Sequence, residues 1–173
     1  RWTAMVHEAD GTVAQLKASL VRGEELFSQF QALGAKGLMD TEGYITQLDC
    51  RNITLPEDII ARIANCSRLQ HLNLRHTGFK DSQFEHLANL TEITKLDLSD
   101  NPITGEAINK LGALAKLHSL DLSGSPVSDA NVKQFEAIAN LKNIRTIDIS
   151  GTKLGTDSYE KITRFFRLAD VKF

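Results

Sequence analysis

The sequence predicts an α/β fold built by repetition: a right-handed curved solenoid with a parallel β-sheet on its concave face and helices on its convex face. Three observations support this prediction. An apolar pattern typical of a strand recurs at a nearly constant interval, a helical pattern lies between its copies, and an amphipathic segment precedes the first copy. With 173 residues, of which 42% are hydrophobic and 24% charged, the chain is long enough for a sizeable core.

The strands are predicted from an apolar triplet at the first, fourth and sixth positions of each copy. Ile93, Leu96 and Leu98 form one triplet, and Leu168, Val171 and Phe173 form the last. The six copies begin at residues 45, 69, 93, 117, 144 and 168, so the steps between them are 24, 24, 24, 27 and 24 residues. Another apolar residue follows ten positions after each of the first five starts, namely Leu55, Phe79, Ile103, Val127 and Leu154.

Apolar residues at helical spacing, such as Phe84, Leu87 and Leu90, predict a short helix after each turn. The fourth repeat has three extra residues on this side, which we expect to lengthen its helix by about one turn. Thr54 and Glu57 have the spacing of a capping box. Three further residues are predicted helix caps or first-turn residues, namely Asp81, Thr104 and Asp129.

Residues 1–44 are predicted to form an N-terminal helical cap, followed by a repeat domain over residues 45–173. A helical pattern begins at Thr12, and Gly34 and Gly37 are predicted stops. Its apolar face is Val13, Leu16, Leu20, Phe27, Phe30 and Leu33. Residues 40–43 read as a turn between two short strands, which predicts a hairpin leading into the first repeat.

One repeat of strand, turn and short helix cannot bury its apolar side alone. Each buried Leu or Ile contributes roughly 1.5–3 kcal/mol, whereas ordering each residue costs on the order of 1–2 kcal/mol. Neighbouring repeats must therefore stack and share one continuous core. Because helices are wider than strands, the stack is expected to curve with the sheet inside.

The spacing Leu-x-x-Leu-x-Leu-x-x-Asn-x-Ile over residues 93–103 resembles the leucine-rich repeat, as do residues 69–79, 117–127 and 144–154. The short repeats with Ser- and Thr-rich turns are similar to bacterial members with helical convex sides. The resemblance implies a hydrogen bond from the family's Asn to the turn backbone. The equivalent residues here are Ile53, Thr77, Asn101, Ser125 and Thr152. Thr and Ser are expected to form fewer such bonds, and Ile53 none.

The resemblance also implies a binding protein whose partner docks on the concave strand face or its adjoining loops. Side chains between the core leucines point away from the core, so charged residues would line this face in columns. The candidate partner-binding residues are Arg51, His71, Asn73, Arg75, Lys95, Asp97, Asp100, His118, Asp121 and Asp148. The basic members lie mainly in the first half and the acidic members in the second. The acidic members form either a groove for a basic partner segment, a weak cation site, or a set of ordinary solvated residues. The basic cluster around Arg51 and Arg75 is likewise either a binding surface or a set of solvated residues.

No motif for catalysis or for a cofactor is present. The sequence lacks a phosphate-binding glycine loop, His-Glu-x-x-His and Gly-x-Ser-x-Gly, so we predict no enzyme, no cofactor and no metal. The net charge of -2 argues against nucleic-acid binding, and no apolar stretch is long enough for membrane insertion. Cys50 and Cys66 occupy core positions and are either buried free thiols or a bridged pair.

The sequence thus predicts a monomeric module that binds a protein or peptide through the concave face. The alternative is a structural or targeting segment of a larger protein whose activity lies elsewhere. The chain opens with Arg1 rather than Met, which we interpret as a fragment or a processed form, so its compartment stays open.

Overall fold

The computed structural model describes residues 23–173. Within this range one sheet contains seven strands in chain order, from β1 to β7. The strands are β1 (Lys36–Met39), β2 (Ile45–Asp49), β3 (His71–Asn73), β4 (Lys95–Asp97), β5 (Ser119–Asp121), β6 (Thr146–Asp148) and β7 (Asp170–Lys172). Strand β1 is antiparallel to β2, and each later pair is parallel. The parallel sheet confirms the predicted arrangement of the repeat strands.

The N-terminal helix is described from residue 23 and extends to residue 32 (α1). Gly34 follows it with φ +94°, a conformation that suits glycine at the end of a helix, as predicted. Gly37 is not a helix stop: it lies in β1, and a Cβ there would sit 2.2 Å from the carbonyl oxygen of Gln47. Glycine is needed at this position because the two strands approach closely. The predicted helical residues 12–22, which include Val13, Leu16 and Leu20, lie outside the described residues.

The predicted hairpin is present between β1 and β2. In its turn Asp40 Oδ1 accepts hydrogen bonds from the backbone N–H groups of Glu42 and Tyr44, both at 2.9 Å. Arg68 contacts the same turn through Asp40 at 3.0 Å and Glu42 at 2.6 Å. Its guanidinium also lies 4.0 Å from the centre of the Tyr44 ring. These contacts tie the hairpin to the first repeat.

The opposite side of the solenoid carries short helices. The α-helices are α2 (Glu57–Ile63), α3 (Val132–Ala137) and α4 (Thr156–Phe165), and the 3₁₀ helices are Asp81–His86, Ile108–Ala113 and Asp129–Asn131. In the second and third repeats the predicted short helices are therefore 3₁₀ helices. A 3₁₀ helix rises farther per residue, which lets a 24-residue repeat cross this side with few residues. The longer fourth repeat follows its 3₁₀ turn with α3.

The side chains predicted to cap the helices form other hydrogen bonds than expected. Helix α2 has Pro56 at its N-cap and no side-chain cap, so the capping box predicted from Thr54 to Glu57 is wrong. Asp81 and Asp129 do lie in first turns, but they accept hydrogen bonds from the following repeat. Asp81 bonds the backbone N–H of Thr104 at 2.7 Å, and Asp129 bonds that of Gly155 at 2.8 Å. Each carboxylate therefore connects two repeats.

The core lies between the sheet and the helices and runs through all repeats. The first five apolar triplets are buried throughout, as are Leu55, Phe79, Ile103, Val127 and Leu154. The sixth triplet does not follow the prediction: Val171 is 8% exposed, but Leu168 is 83% and Phe173 55% exposed. Strand β7 is at the edge of the described sheet, so no neighbouring repeat encloses these two side chains. The Phe173 ring instead stacks on Tyr159, with centroids 4.8 Å apart.

The turns after the strands share one strained position. Asn52, His76 and Asp100 have φ of 61°, 51° and 55°, and the equivalent Gly124 and Gly151 have φ of 67°. This left-handed conformation suits glycine best and tolerates Asn or Asp better than most residues. The repeat backbone thus reverses in the same way at each turn and delivers each helix to the same side.

Asn101 stabilises one of these turns with its side chain, as the resemblance implied. Its Nδ2 donates to the carbonyls of Leu74 at 2.7 Å and Leu98 at 2.9 Å. Its Oδ1 accepts from the backbone N–H groups of Thr77 at 3.1 Å and Phe79 at 2.9 Å. One side chain therefore joins the second and third repeats.

The equivalent residues form fewer bonds, which confirms the expectation for Thr and Ser. The hydroxyl groups of Thr77 and Thr152 each donate to the carbonyl three residues earlier, at 2.8 and 2.7 Å. The buried hydroxyl of Ser125 has no hydrogen-bond partner among the described residues. The Asn101 turn is thus much better bonded than the turn of the next repeat.

Candidate partner-binding surface

The candidate surface is the sheet face opposite the core. In β3, β5 and β6 the central residue is buried and its two neighbours are partly exposed, so the outer residues of each strand point to this open face. The parallel register aligns them into two rows. One row is Gln47, His71, Lys95, Ser119, Thr146 and Asp170, and the other is Asp49, Asn73, Asp97, Asp121, Asp148 and Lys172. The rows contain six of the candidate residues, aligned in columns as the sequence predicts: His71, Asn73, Lys95, Asp97, Asp121 and Asp148.

The acidic side chains of the second row are held in fixed orientations. Asp97 Oδ1 accepts hydrogen bonds from the backbone N–H of Ser99 at 3.0 Å and from its hydroxyl at 2.6 Å. Asp121 and Asp148 make the same two contacts with Ser123 and Ser150. One carboxylate oxygen of each aspartate therefore accepts hydrogen bonds from the serine two residues later. The interaction needs only an Oδ1 acceptor, because Asn73 accepts from Arg75 N–H in the same way at 2.9 Å.

The basic half of the face is largely neutralised by its own acidic neighbours. Arg51 pairs with Asp49 through Nε at 2.9 Å, and Arg75 pairs with Asp100 through Nε at 2.9 Å. The hydrogen bond from Arg51 lowers the pKa of the Asp49 carboxyl. Arg51, Arg75 and Asp100 are therefore already ion-paired within the protein, unlike the charges described next.

The acidic half retains two carboxylates without an ion pair. Asp148 has Lys172 at 3.7 Å, but neither Asp97 nor Asp121 pairs with a cation among residues 23–173. Burial raises the pKa of Asp121, and the neighbouring carboxylates of Asp97 and Asp148 raise it further. Lys95 is exposed on the same strand as Asp97. A hydrogen-bond donor or a cation from outside would therefore meet Asp97 and Asp121 first.

A shallow groove of about 500 Å³ lies over the open face from β1 to β5. It contains Asp97 and Asp121 at one end and Lys36 and Leu38 at the other. The sequence prediction missed Lys36 and Leu38. They lie on the open face because β1 pairs with β2 in a register that places Lys36 beside Asp49 and Leu38 beside Gln47. The sequence predicted the hairpin but not its antiparallel register, and the register decides that Lys36 and Leu38 lie on the open face.

His71 and His118, the two candidate histidines, have different surroundings. His71 is on the open face, where burial and the nearby Lys95 lower its pKa. His118 lies just before β5 and is exposed, with Nδ1 2.6 Å from the carbonyl oxygen of Lys116. Over the described part of the chain, no group of three or more His, Cys, Asp or Glu side chains could hold a metal ion.

Both cysteines are buried and free, which fits the first of the two alternatives considered for Cys50 and Cys66. Burial raises the pKa of each thiol to about 12. The thiolate form, which is the reactive one, is therefore strongly disfavoured at neutral pH.

The repeated strand and turn, the parallel sheet and the bonds of Asn101 define a leucine-rich repeat solenoid. A family model described as "Leucine Rich repeat" matches residues 89–112, the segment around the best-bonded turn. Among solved structures, the chain is similar to an internalin (inlF) from Listeria monocytogenes, with a TM-score of 0.54 and 22% identity. The similarity covers 65% of this chain and 30% of the internalin chain. The protein thus has the fold of a leucine-rich repeat protein.

The curated proteins contain no significant match to this sequence. In the part of the chain that the structure describes, no helix has the length and apolar character needed to cross a membrane.

Proposed function

We propose that this protein is a binding module, acting without catalysis, that holds a protein or peptide partner on the open face of its sheet. Solenoids of stacked repeats present extended surfaces suited to such binding. The partner would contact residues of the two strand rows, with Lys95, Asp97 and Asp121 at the centre. Arg51, Arg75 and Asp100, which pair among themselves and with Asp49, would contribute at the rim.

The observation that carries this proposal is the fixed orientation of unpaired acidic side chains along an uncovered strand face. Each Asp is held through Oδ1 by a serine, while Asp97 and Asp121 lack a cation among the described residues. Side chains that are already ordered lose little conformational entropy when a partner binds. Two neighbouring carboxylates at the strand spacing of about 4.8 Å also repel each other, so a partner's positive group would relieve that repulsion.

The proposal can be tested by locating where selected ligands bind. A randomised peptide library would be selected on the 173-residue chain, and binders would be assayed with a fluorophore at Gln47→Cys on the open face. Glu136→Cys, on exposed α3, is the matched control. The native thiols will not compete for the label because burial raises the pKa of both to about 12.

We expect saturable fluorescence changes at the Gln47→Cys label and none at the Glu136→Cys label. Unlabelled wild-type protein should compete with the signal. Changes at position 136 alone, or failure of the library to yield any binder that reports at position 47, would contradict a docking site on the open face.

A further inference from the structure

The groove has two ends of different chemistry. Leu38 is the exposed apolar side chain of the β1 end, where it lies with Lys36, and 56% of its surface is exposed. Among the described residues it shares this exposure with Leu168 and Phe173, but those two lie at the far edge of the sheet, by β7. Leu38 is therefore the large exposed apolar side chain that lies in the groove together with the acidic residues.

The acidic end lies at β4 and β5, where Asp97 and Asp121 are neighbours in the sheet register. Asp49 and Asp148, on either side in the same row, already pair with Arg51 and Lys172. A cation that enters the groove thus gains most beside Asp97 and Asp121. His71 on β3 lies between this end and Leu38 in the strand order, whereas the positive charge of Lys95 is on β4 itself, two residues before Asp97.

The strand spacing fixes the distance between the two ends. Strand β1 is separated from β4 by three spacings and from β5 by four, which at about 4.8 Å each correspond to roughly 14 and 19 Å. An extended polypeptide advances about 3.3 Å per residue. A chain crossing the strands would therefore need about four to six residues to reach from Leu38 to the acidic pair.

We propose that the occupant of the groove is an extended peptide segment with an apolar side chain against Leu38 and a Lys or Arg four to six residues away against Asp97 and Asp121. This inference rests on the proposed function and specifies the chemistry of its partner. The apolar residue removes the exposed surface of Leu38 from water. The basic residue supplies the missing counter-charge, and an arginine could bridge both carboxylates with its planar donor group.

The substitutions for the test follow from the hydrogen bonds of the strand ends. Asp97→Asn and Asp121→Asn remove the charges but keep an Oδ1 acceptor for Ser99 and Ser123, as Asn73 does for Arg75. A charge reversal to lysine would lose those bonds and confuse binding with stability. The matched control is the pair Glu106→Gln and Glu136→Gln, which are exposed acidic residues away from the sheet.

The experiment is to sequence the peptides enriched by wild-type protein and to measure the affinities of synthetic copies by fluorescence anisotropy. We expect an apolar residue and a Lys or Arg separated by four to six positions. The double Asp→Asn variant should weaken binding by about tenfold or more, with a smaller salt dependence. Leu38→Ser should weaken it by several-fold, and the Glu→Gln control should leave it unchanged.

Two outcomes would overturn this inference while leaving the proposed function intact. Peptides that report at Gln47→Cys but contain no basic residue at this spacing would refute the partner chemistry. So would full affinity for the Asp97→Asn/Asp121→Asn variant with its native circular dichroism spectrum. If instead no peptide bound the open face at all, the proposed function itself would be contradicted.

Discussion

Asn101→Ala is expected to destabilise the solenoid more than any other single turn substitution among the described repeats. The Asn101 side chain is only 2% exposed. It donates to three carbonyls, those of Leu74, Leu98 and Ser99, and accepts from the N–H groups of Thr77 and Phe79. Alanine would leave the N–H groups of Thr77 and Phe79 and the Leu98 carbonyl without this partner. The Leu74 carbonyl would keep the bond from the Thr77 hydroxyl, and the Ser99 carbonyl the bond from the His76 N–H.

The magnitude follows from the number of groups affected. A buried hydrogen bond contributes about 1 kcal/mol net, and an unsatisfied buried group costs about 1–3 kcal/mol. Since water can reach some of the groups exposed by the smaller side chain, we expect a loss of about 3–5 kcal/mol in the free energy of unfolding. Asn101→Thr should lose roughly half as much, because Thr77 and Thr152 show that a threonine hydroxyl can bond the carbonyl three residues earlier.

The assay is urea unfolding followed by far-ultraviolet circular dichroism, with the slope compared between variants to check that unfolding stays cooperative. Thr77→Ala, which removes one hydroxyl bond at the equivalent position, is the matched control and should cost about 1 kcal/mol. A loss below about 1 kcal/mol for Asn101→Ala, or one no larger than that of Thr77→Ala, would refute the reasoning that this side chain joins two repeats. If Asn101→Ala does not fold, the ranking of Asn101→Thr against Thr77→Ala decides the question.

Three further predictions concern the fourth repeat, at Ser125, Gly124 and Asp121. Ser125→Ala should leave stability unchanged or raise it by up to about 1 kcal/mol, because its buried hydroxyl has no partner among the described residues; Thr152→Ala should lower stability by about that amount, and thermal unfolding of both would show a reversed order if the interpretation is wrong. Gly124→Ala should destabilise by about 1–2 kcal/mol because of its φ of +67° and a 2.2 Å contact of the added Cβ. Gly112→Ala, in a 3₁₀ helix with no atom closer than 4.0 Å to the added Cβ, should stabilise by about 0.5–1 kcal/mol; equal effects in urea unfolding would argue against the turn geometry. Asp121→Asn should raise the melting temperature at pH 7, because burial and its acidic neighbours raise the folded-state pKa above the unfolded value. That gain should disappear as the pH falls through the folded pKa and below the ordinary carboxyl value of 3.8, and a pH-independent gain would contradict an electrostatic origin.

The strand columns could be predicted from the sequence because the repeat spacing fixes the register. Residues 24 apart, such as Leu72 and Leu96, occupy equivalent core positions and become register partners. The three extra residues of the fourth repeat lie on the helical side, so β5 and β6 still pair Leu120 with Ile147. The apolar side chains thus carry enough information to align the polar ones between them.

The state of the charges could not be predicted in the same way. From the sequence, Arg51 and Arg75 were expected to be basic residues of the binding face. In the structure they form ion pairs with Asp49 and Asp100. The second of these contacts joins residues 25 positions apart. Such pairs depend on side-chain reach across a turn, and the repeat period does not specify that reach.

The boundaries of the domain, the residues that a partner contacts and the larger protein suggested as an alternative remain predictions. Helix α1 and strand β1 precede the first repeat strand, β2, in the expected order, while residues 12–22 of the predicted cap lie outside the described residues. The chain spans less than a third of the internalin chain it resembles, so the activity of a whole protein cannot be transferred to it.

The sequence by itself determined that this chain has the fold of a leucine-rich repeat solenoid and which side chains of the repeat strands point to its open face. It could do so because both depend on local periodicity, which repeats six times and therefore averages out individual departures. The tertiary structure alone decided which charges stay unpaired, that Leu38 joins the open face, and that Asp81 and Asp129 bond the following repeat. These features arise from contacts between side chains far apart in the chain, whose geometry exists only once the repeats have stacked.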